Sequence, residues 1–354
     1  MPHRWQHQRG ERNADRFDER IKADRLDSPH RPWKHAQHVM APLHSIPRVV
    51  RAASLVAACI LAHAATAAPA GMAGPPTCRQ LERRLELTKP EAHSTELNLV
   101  LFSAADSGCL PLARRLLDAG AAVTARDRLG AMALARAARA GHAALVELFL
   151  AQGAPIDARN LTGATALYAA TENERQTTVA ILLARRADPN LSGPSGVTPL
   201  AAAAFKGNGR LVDQLIASGA DPDVVDATGK TAMTYAAGRG FALIVGRLLA
   251  AGVDPKRAYG NDLTALMWAA GAEDGVGARA AMDVVELLLG AGAPIDAIDN
   301  RGRTALMIAA ELGYGEIVDL LLGRGADLTI ADKSGKRARD LAANESIREK
   351  LGAK

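Results

Sequence analysis

The chain has 354 residues and a formal net charge of +5, and it is long enough for two ordinary domains. Residues 1–67 carry 11 basic and 6 acidic residues, so residues 68–354 are electrically balanced. Nucleic-acid binding needs a concentrated basic surface that displaces counterions, and the balanced part of the chain argues against it.

The first 39 residues are rich in Arg, Asp, His and Pro and show little apolar periodicity. A segment of this composition buries too little apolar surface to fold, and we expect residues 1–39 to be disordered. A further hypothesis is that translation begins at Met40, which would make residues 1–39 a wrongly assigned start.

Residues 40–67 have the three parts of a secretory signal peptide. Arg48 and Arg51 precede the apolar run 52–61, and Ala65-Thr66-Ala67 follows as a small-x-small cleavage site. Because a membrane-spanning helix needs about 20 apolar residues, this run is too short to be one. We expect cleavage near Ala67 and no membrane span in the mature chain.

Two alternatives remain for this segment. Val56-Ala57-Ala58-Cys59 resembles a lipoprotein signal, although the apolar run continues past the cysteine. The run is also compatible with a fortuitous alanine-rich helix. Residues 68–76, rich in Ala, Gly and Pro, are expected to form a flexible linker.

Residues 77–125 begin the folded part with a predicted capping helix over 77–87 and an irregular first helical unit. Removal of the signal peptide would leave two cysteines, Cys78 and Cys109. An even pair in an exported protein favours a disulfide, whereas a cytosolic protein would keep two free thiols.

The rest of the chain repeats with a fixed step. One series of glycines recurs mainly every 33 residues, at Gly130, Gly163, Gly196, Gly229, Gly302 and Gly335. A second series has the same period, at Gly120, Gly153, Arg186, Gly219, Gly252, Gly292 and Gly325. Two series with one period indicate an array of identical structural units.

The repeated residues resemble the ankyrin family. Thr198-Pro199-Leu200-Ala201-Ala202-Ala203 and Thr304-Ala305-Leu306 are similar to its hallmark motif, and the resemblance extends from about Leu97 to Asn344. It implies an all-α repeat solenoid of stacked ankyrin helix-turn-helix units with β-turn or hairpin tips. Six repeats are expected over 126–331, followed by a polar capping repeat over 332–354.

Each repeated residue type has an expected mechanical role. The threonines are predicted to cap the first helix of each repeat, the leucines to face the core, and the alanine pairs to allow close stacking. Met132 stands where a capping threonine is expected, and Asp262 where a glycine is expected. Glu174 replaces a helix-ending glycine, with the left-handed conformation assigned to Asn173. Residues 273–279 are an insertion expected to lengthen an inter-helix turn.

The sequence contains few residues that could form a catalytic site or a metal site. Asp157, Asn190, Asp223 and Asp296 recur with the period, but repeats about 10 Å apart cannot converge on one calcium ion, so we expect these side chains to cap turns. Only two histidines follow residue 67, which leaves no arguable nucleophile set or zinc site. We expect no enzymatic activity and no cofactor.

Ankyrin proteins usually bind partners through the concave face, which consists of the turn tips and the ends of the inner helices. Tyr259 and Tyr235, with Trp268, are the expected anchors, although Trp268 and Tyr235 could instead fill gaps between helices. The face carried over from the family comprises Arg128, Leu129, Arg139, Leu161, Tyr168, Glu172, Phe205, Lys206, Thr228, Lys230, Arg239, Tyr259, Asn261, Met267, Trp268, Asn300, Arg301, Arg303 and Glu311.

Two functions are compatible with these features. The first is a non-catalytic bacterial adaptor, exported to the periplasm or secreted, that binds a protein partner as a monomer. The second is a secreted effector that acts on a host protein.

Overall fold

A computed structural model describes residues 76–87, 94–273 and 275–352. The predictions for residues 1–39, for the signal peptide at 40–67 and for linker residues 68–75 lie outside these described residues. The first helix begins at Pro76, which the sequence places at the end of the linker.

The described residues form 17 α-helices and no β-strand, in agreement with the predicted all-α solenoid. A capping helix, α1 (Pro76–Leu87), is followed by eight pairs of inner and outer helices. The inner helices are α2 (Ser94–Ser107), α4 (Ala133–Ala140), α6 (Ala166–Glu172), α8 (Pro199–Lys206), α10 (Ala232–Gly238), α12 (Ala265–Ala270), α14 (Ala305–Leu312) and α16 (Ala338–Leu341). The outer helices are α3 (Leu110–Asp118), α5 (Ala143–Ala151), α7 (Gln176–Ala184), α9 (Gly209–Ala217), α11 (Ala242–Ala250), α13 (Ala278–Gly290), α15 (Gly315–Gly323) and α17 (Glu345–Lys350).

Buried threonines start the regular inner helices, which confirms their predicted role. The Thr198 hydroxyl accepts a hydrogen bond from the Ala201 N–H at 3.1 Å. Because the first N–H groups of a helix have no intrahelical acceptor, such a cap stabilises it by about 1 kcal/mol. Met132, as expected, provides no side-chain cap for α4. The capping hydrogen bond described for Thr198 is also formed by Thr165, Thr231, Thr264 and Thr304.

The core lies between the inner and outer helices and continues from repeat to repeat. The predicted core positions are all buried: Leu134, Leu167, Leu200, Met233, Leu266 and Leu306. The alanine pairs of the inner helices are buried beside them, for example Ala236-Ala237 and Ala309-Ala310. Short side chains allow neighbouring inner helices to stack closely, so each repeat completes the core of the next.

Non-glycine residues occupy left-handed backbone positions where the repeat lacks its glycine. Gly141, Gly207 and Gly313 end their helices with positive φ. The assignment to Asn173 is wrong, because Asn173 has φ −97° and Glu174 itself has φ +56°. The chain therefore keeps the backbone geometry of the repeat and accepts strain at Glu174.

The turn tips of neighbouring repeats are joined by backbone hydrogen bonds. The Leu161 N–H donates to the Leu129 carbonyl at 2.9 Å, and the Asn300 N–H donates to the Asn261 carbonyl at 3.0 Å. Equivalent bonds join Ala227 to Ser195, Gly260 to Gly229 and Lys333 to Arg301. These bonds hold the tips in register, so side chains from successive tips lie side by side.

A disulfide joins Cys78 on α1 to Cys109, the residue before α3, with the two Cα atoms 5.6 Å apart. This is the pair that the sequence favours. Leu81 and Leu85 of α1 pack against the core of the first helix pair. The capping helix is therefore attached both by apolar contacts and by a covalent bond.

The insertion at 273–279 extends a helix as well as a turn. Helix α13 has 13 residues, whereas the preceding outer helix α11 has nine. The expectation that the insertion lengthens only the turn is therefore incomplete, because Ala278 and Arg279 already belong to α13. Residue 274 lies outside the described residues.

Candidate functional site

The predicted binding residues divide into three groups by exposure. The exposed ones are Arg128, Leu129, Arg139, Leu161, Glu172, Phe205, Lys206, Thr228, Asn261, Asn300, Arg301 and Glu311. The partly buried ones are Lys230, Arg239, Trp268 and Arg303. The buried ones are Tyr168, Tyr259 and Met267. The concave face therefore consists of the first two groups, which lie on the turn tips and along the inner helices.

Tyr168 is a packing residue rather than a binding residue, and its prediction is corrected. Its side chain is 5% exposed and packs with Ala164, Val197 and Ala202. Gly193 leaves the space for the ring, since a Cβ atom there would lie 2.7 Å from it. Burial, and then the charge of Glu172, raises the pKa of Tyr168 to about 12.

Tyr259 is corrected in the same way. It is 8% exposed, and its hydroxyl donates to Asp223 Oδ1 at 3.3 Å. The Arg257 guanidinium lies 5.5 Å from the centre of its ring. Burial, and then the Asp223 carboxylate, raises the pKa of Tyr259 to about 12. This ring joins two repeats and offers no surface to a partner; Met267, 2% exposed, likewise lies in the core.

Five side chains form an aromatic–cation cluster at the middle of the concave face, and they come from α8, α10, α12, the tip before α10 and the residue that follows α10. The Phe205 and Tyr235 rings meet edge to face, with centroids 5.6 Å apart. The Arg239 guanidinium lies 4.4 Å from the Phe205 centroid. The Lys230 ammonium lies 5.3 Å from the Tyr235 ring and 4.8 Å from the Trp268 ring. These cation–π contacts order two long side chains that would otherwise be mobile.

Carboxylates on either side fix the orientation of this cluster. Tyr235 donates its hydroxyl to Asp226 Oδ2 at 2.5 Å, and Arg239 pairs with Glu273 of the insertion at 2.9 Å. Burial first, and then the Asp226 carboxylate, raises the pKa of Tyr235 to about 12. Burial alone raises the pKa of Asp226, but hydrogen bonds from Tyr235, Lys230 and Thr228 outweigh it and lower the pKa below its ordinary value.

Trp268 has a mixed environment. Its ring is partly buried and packs against the core, which agrees with the gap-filling interpretation. Its indole Nε1 is buried and has no hydrogen-bond partner among the described residues. The Nε of Arg239 is also buried and has no hydrogen-bond partner among these residues. A buried donor without an acceptor is costly, so these two groups lower the stability of the packing at this position.

Charged and apolar side chains extend the face on both sides of the cluster. Arg303 pairs with Asp299 at 3.3 Å and with Glu311 at 2.5 Å, while Arg301 is mostly exposed. On the other side, Leu129 and Leu161 project from adjoining tips and are 65% and 78% exposed. Exposed leucines beside basic residues are typical of the apolar contacts in protein interfaces.

Two cavities adjoin the concave face or the insertion. One of about 300 Å³ lies between the insertion and the inter-helix turn of the following repeat, and its walls include Val276, Ala281 and Tyr314. The Tyr314 hydroxyl closes one side by donating to the Ala272 carbonyl at 3.0 Å. A second, of about 450 Å³, lies at the first turn tip beside Phe102.

The periodic Asp and Asn side chains connect repeats rather than capping their own turns. Asp157 accepts a hydrogen bond from the Asp188 N–H at 3.1 Å, and Asn190 accepts one from the Asp221 N–H at 2.7 Å. Asp296 does the same with the Asp327 N–H at 2.9 Å. Asp223 differs, because it pairs with Arg257 at 2.7 Å.

Within residues 76–87, 94–273 and 275–352, no group of three or more His, Cys, Asp and Glu side chains is placed to hold a metal ion. Over the same residues, no helix is long and apolar enough to cross a membrane.

A comparison with protein families gives a match to the model described as ankyrin repeats (3 copies), over residues 101–192, 200–278 and 276–332. These segments make up more than half of the chain, and the protein belongs to the ankyrin-repeat family. Its members are generally protein-interaction modules. A search of curated proteins found no match.

Sequence reasoning missed two residues that shape the site. Asp226, which holds Tyr235, looks in the sequence like any other turn aspartate. Phe241 supports Arg239 from the far side, 5.7 Å from the guanidinium. The sequence offered little signal for Phe241, because the residue before the outer helix differs in every repeat and is again aromatic at Tyr314.

Proposed function

We propose that this protein is a non-catalytic adaptor, exported to the periplasm or secreted, that binds another protein through its concave face. The observation that carries the proposal is the separation of two sets of residues. The repeated Thr, Leu and Ala residues are buried in the scaffold, whereas residues that differ between repeats, such as Phe205, Lys206 and Arg301, are exposed on one face. Residues that stabilise no repeat are free to recognise a partner.

The middle of the face has the composition of an interface centre. Phe205, Tyr235 and Trp268 lie next to one another and are held by Lys230 and Arg239. Aromatic and Arg side chains near the middle of a patch contribute most of the binding energy in protein complexes. Because the rings are already ordered, little conformational entropy would be lost when a partner binds.

The proposal of a non-catalytic role follows from the surroundings of the polar groups. Asp226 and Asp299 accept hydrogen bonds within their own turns, and Glu273 and Glu311 are paired with arginines. A general base has to present a lone pair to a substrate, and the contacts of these carboxylates instead orient turn N–H groups and arginines of the scaffold.

Export is supported by the signal-peptide pattern of residues 40–67 and by the cysteine pair. A structural disulfide between Cys78 and Cys109 persists in oxidising compartments and is reduced in the cytosol. Fractionation of cells that produce the protein tests this location. Recovery of oxidised, cleaved protein from the periplasm or medium is expected, whereas recovery from the cytosol of a host cell would favour the effector function.

Site-specific photo-crosslinking tests the binding surface. A photoreactive amino acid at Lys206 on the concave face is expected to capture the partner. The matched control places the same amino acid at Arg210, which is exposed on the outer helix α9 only four residues away. Capture at Arg210 and not at Lys206 would contradict the proposed surface, and capture at neither position would contradict the proposed function.

A further inference from the structure

The turn tips carry far more exposed positive than negative charge, although residues 68–354 are balanced. The basic side chains of the tips are Arg126, Arg128, Arg159, Lys230, Arg301, Arg303, Lys333 and Lys336. The acidic ones are Asp127, Asp226, Asp262, Asp299 and Asp332. The charge of the array is therefore segregated, with basic groups concentrated along one line of tips.

Four of the five tip carboxylates point into their own turns. Asp226 Oδ1 accepts hydrogen bonds from the Thr228 N–H at 2.7 Å and the Lys230 N–H at 3.0 Å. Asp299 is 3% exposed and accepts from the Arg301 and Arg303 N–H groups at 2.9 and 2.8 Å. Asp127 and Asp332 repeat this geometry. A partner at the tips would therefore meet the cations, while Asp262 is the one tip carboxylate that remains exposed.

Several of these cations have no carboxylate of their own. Within the described part of the chain, the Lys230 ammonium lies over two aromatic rings and forms no ion pair, and Arg128 forms none either. The middle of the face thus presents an ammonium without an ion-pair partner, and a carboxylate is the group that binds such a cation.

We propose that the partner presents an acidic segment, rich in Asp or Glu, along the line of turn tips and over the aromatic–cation cluster. This inference rests on the proposed function and specifies the chemistry of the partner. The tips lie side by side, so an extended segment would contact the basic groups of the first two tips, Lys230 in the middle and the basic groups of the last two tips. Complementary charge of this kind accelerates association and excludes basic partners.

A nucleic acid fits the same face less well. Glu172, Glu273 and Glu311 would repel phosphates and carboxylates alike, so the distinction between the two partners depends on the aromatic rings. Arg239 lies over the Phe205 ring and Lys230 over the Trp268 ring, so a base that stacks at these positions has to displace a cation. The structure therefore favours a protein segment.

Fluorescence anisotropy with synthetic probes tests the inference. The probe is a labelled peptide in which Glu and Gly alternate, and the control peptide has Gln in place of every Glu. We expect the Glu peptide to bind at least about tenfold more tightly than the Gln peptide, and its affinity to fall between about 50 and 300 mM salt. A single-stranded oligonucleotide of equal charge is expected to bind more weakly than the Glu peptide.

Substitutions locate the binding. Lys230→Gln and Arg301→Gln are each expected to weaken the Glu peptide about five- to tenfold. The matched control Arg210→Gln removes a positive charge from the outer helix α9 and is expected to leave the affinity unchanged. Thermal unfolding of each variant shows whether a loss of affinity comes from a loss of stability. Lys333→Gln is a further variant, at an exposed tip, that tests the same prediction.

The outcomes separate this inference from the proposed function. Equal binding of the Glu and Gln peptides, tighter binding of the oligonucleotide, or an effect of Arg210→Gln equal to that of Lys230→Gln would overturn the acidic partner. If Lys206 still captures a partner by photo-crosslinking in that case, the proposed function stands. Absence of capture from the whole concave face would overturn both.

Discussion

Replacing Cys78 and Cys109 by Ser tests how the N-terminal end of the array is stabilised. The disulfide closes a loop with a sequence separation of 31 residues. The chain-entropy relation for a loop of this length gives a stabilisation of about 3–4 kcal/mol at about 25 °C. Both cysteines have to be replaced together, because a single substitution would leave a free thiol that could form a disulfide between two molecules.

The loss should be local, because each repeat of a solenoid contacts only its neighbours. Helix α1 is attached to the first helix pair and has no role in the later repeats. We therefore expect the double variant to open at α1 and α2, while α14 and α15 keep their stability. A change of about 3–4 kcal/mol corresponds to a few-hundred-fold faster exchange, since each 1.4 kcal/mol is about tenfold.

Hydrogen–deuterium exchange followed by peptide mass spectrometry measures directly how far along the array the loss of stability extends. Peptides from Ser94–Ser107 should lose protection in the variant, and peptides from Ala305–Leu312 should not. Reduction of the unmodified protein should reproduce the pattern. A uniform loss of protection along the whole array, or no change at α2, would refute this reasoning.

Other substitutions test the corrected assignments. Tyr259→Ala should lower the free energy of unfolding by about 3 kcal/mol, measured in urea, because the ring is buried; a variant as stable as the parent would contradict this. Arg186→Gly should raise stability by about 0.5–1 kcal/mol, because Arg186 has φ +65° where other repeats have glycine; a lower urea midpoint would count against strain. Tyr168, Tyr235 and Tyr259 have pKa values raised to about 12, so their phenols stay protonated in the folded chain at a pH where the unfolded chain ionises. The stability they contribute is complete below about pH 10 and is lost towards about pH 12. Tm should therefore fall between these pH values, and the fall should be less steep in Tyr168→Phe. An equally steep fall of Tm with pH in Tyr168→Phe would contradict the assignment.

The repeated scaffold could be predicted because its residues are determined by backbone geometry and close packing. Thr198 has to cap a helix, and Leu200 has to fill the space between two helix layers. Requirements of this kind recur in every repeat, so they leave a periodic signal in the sequence. The 33-residue spacing of the glycines therefore predicts the fold before any contact is known.

The burial of single aromatic residues could not be predicted in the same way. Tyr168 and Phe205 come from successive inner helices, yet the first is buried and the second is 37% exposed. The Tyr168 ring fits because Gly193, 25 residues later in the chain, has no side chain to occupy the same space. Such a contact occurs once, leaves no periodic signal, and requires the three-dimensional structure.

The residue that adopts a strained backbone conformation could not be predicted from the sequence either. The missing glycine indicates that a left-handed residue is needed near 173–174, and side-chain preference favours Asn over Glu. The structure instead places Glu174 in that conformation, since the period of the repeat requires it at that position. The Glu174 carboxylate then accepts a hydrogen bond from Asn208 Nδ2 at 2.9 Å, which ties two repeats together.

The central claim is that the partner binds the concave face, and a pair of matched truncations tests it most directly. Phe205→Ala removes an exposed ring from the aromatic–cation cluster, and Leu243→Ala removes an exposed apolar side chain from the outer helix α11. Isothermal titration with the partner captured at Lys206 should show binding at least about tenfold weaker for Phe205→Ala and unchanged for Leu243→Ala. Unchanged binding by Phe205→Ala together with weaker binding by Leu243→Ala would contradict the claim.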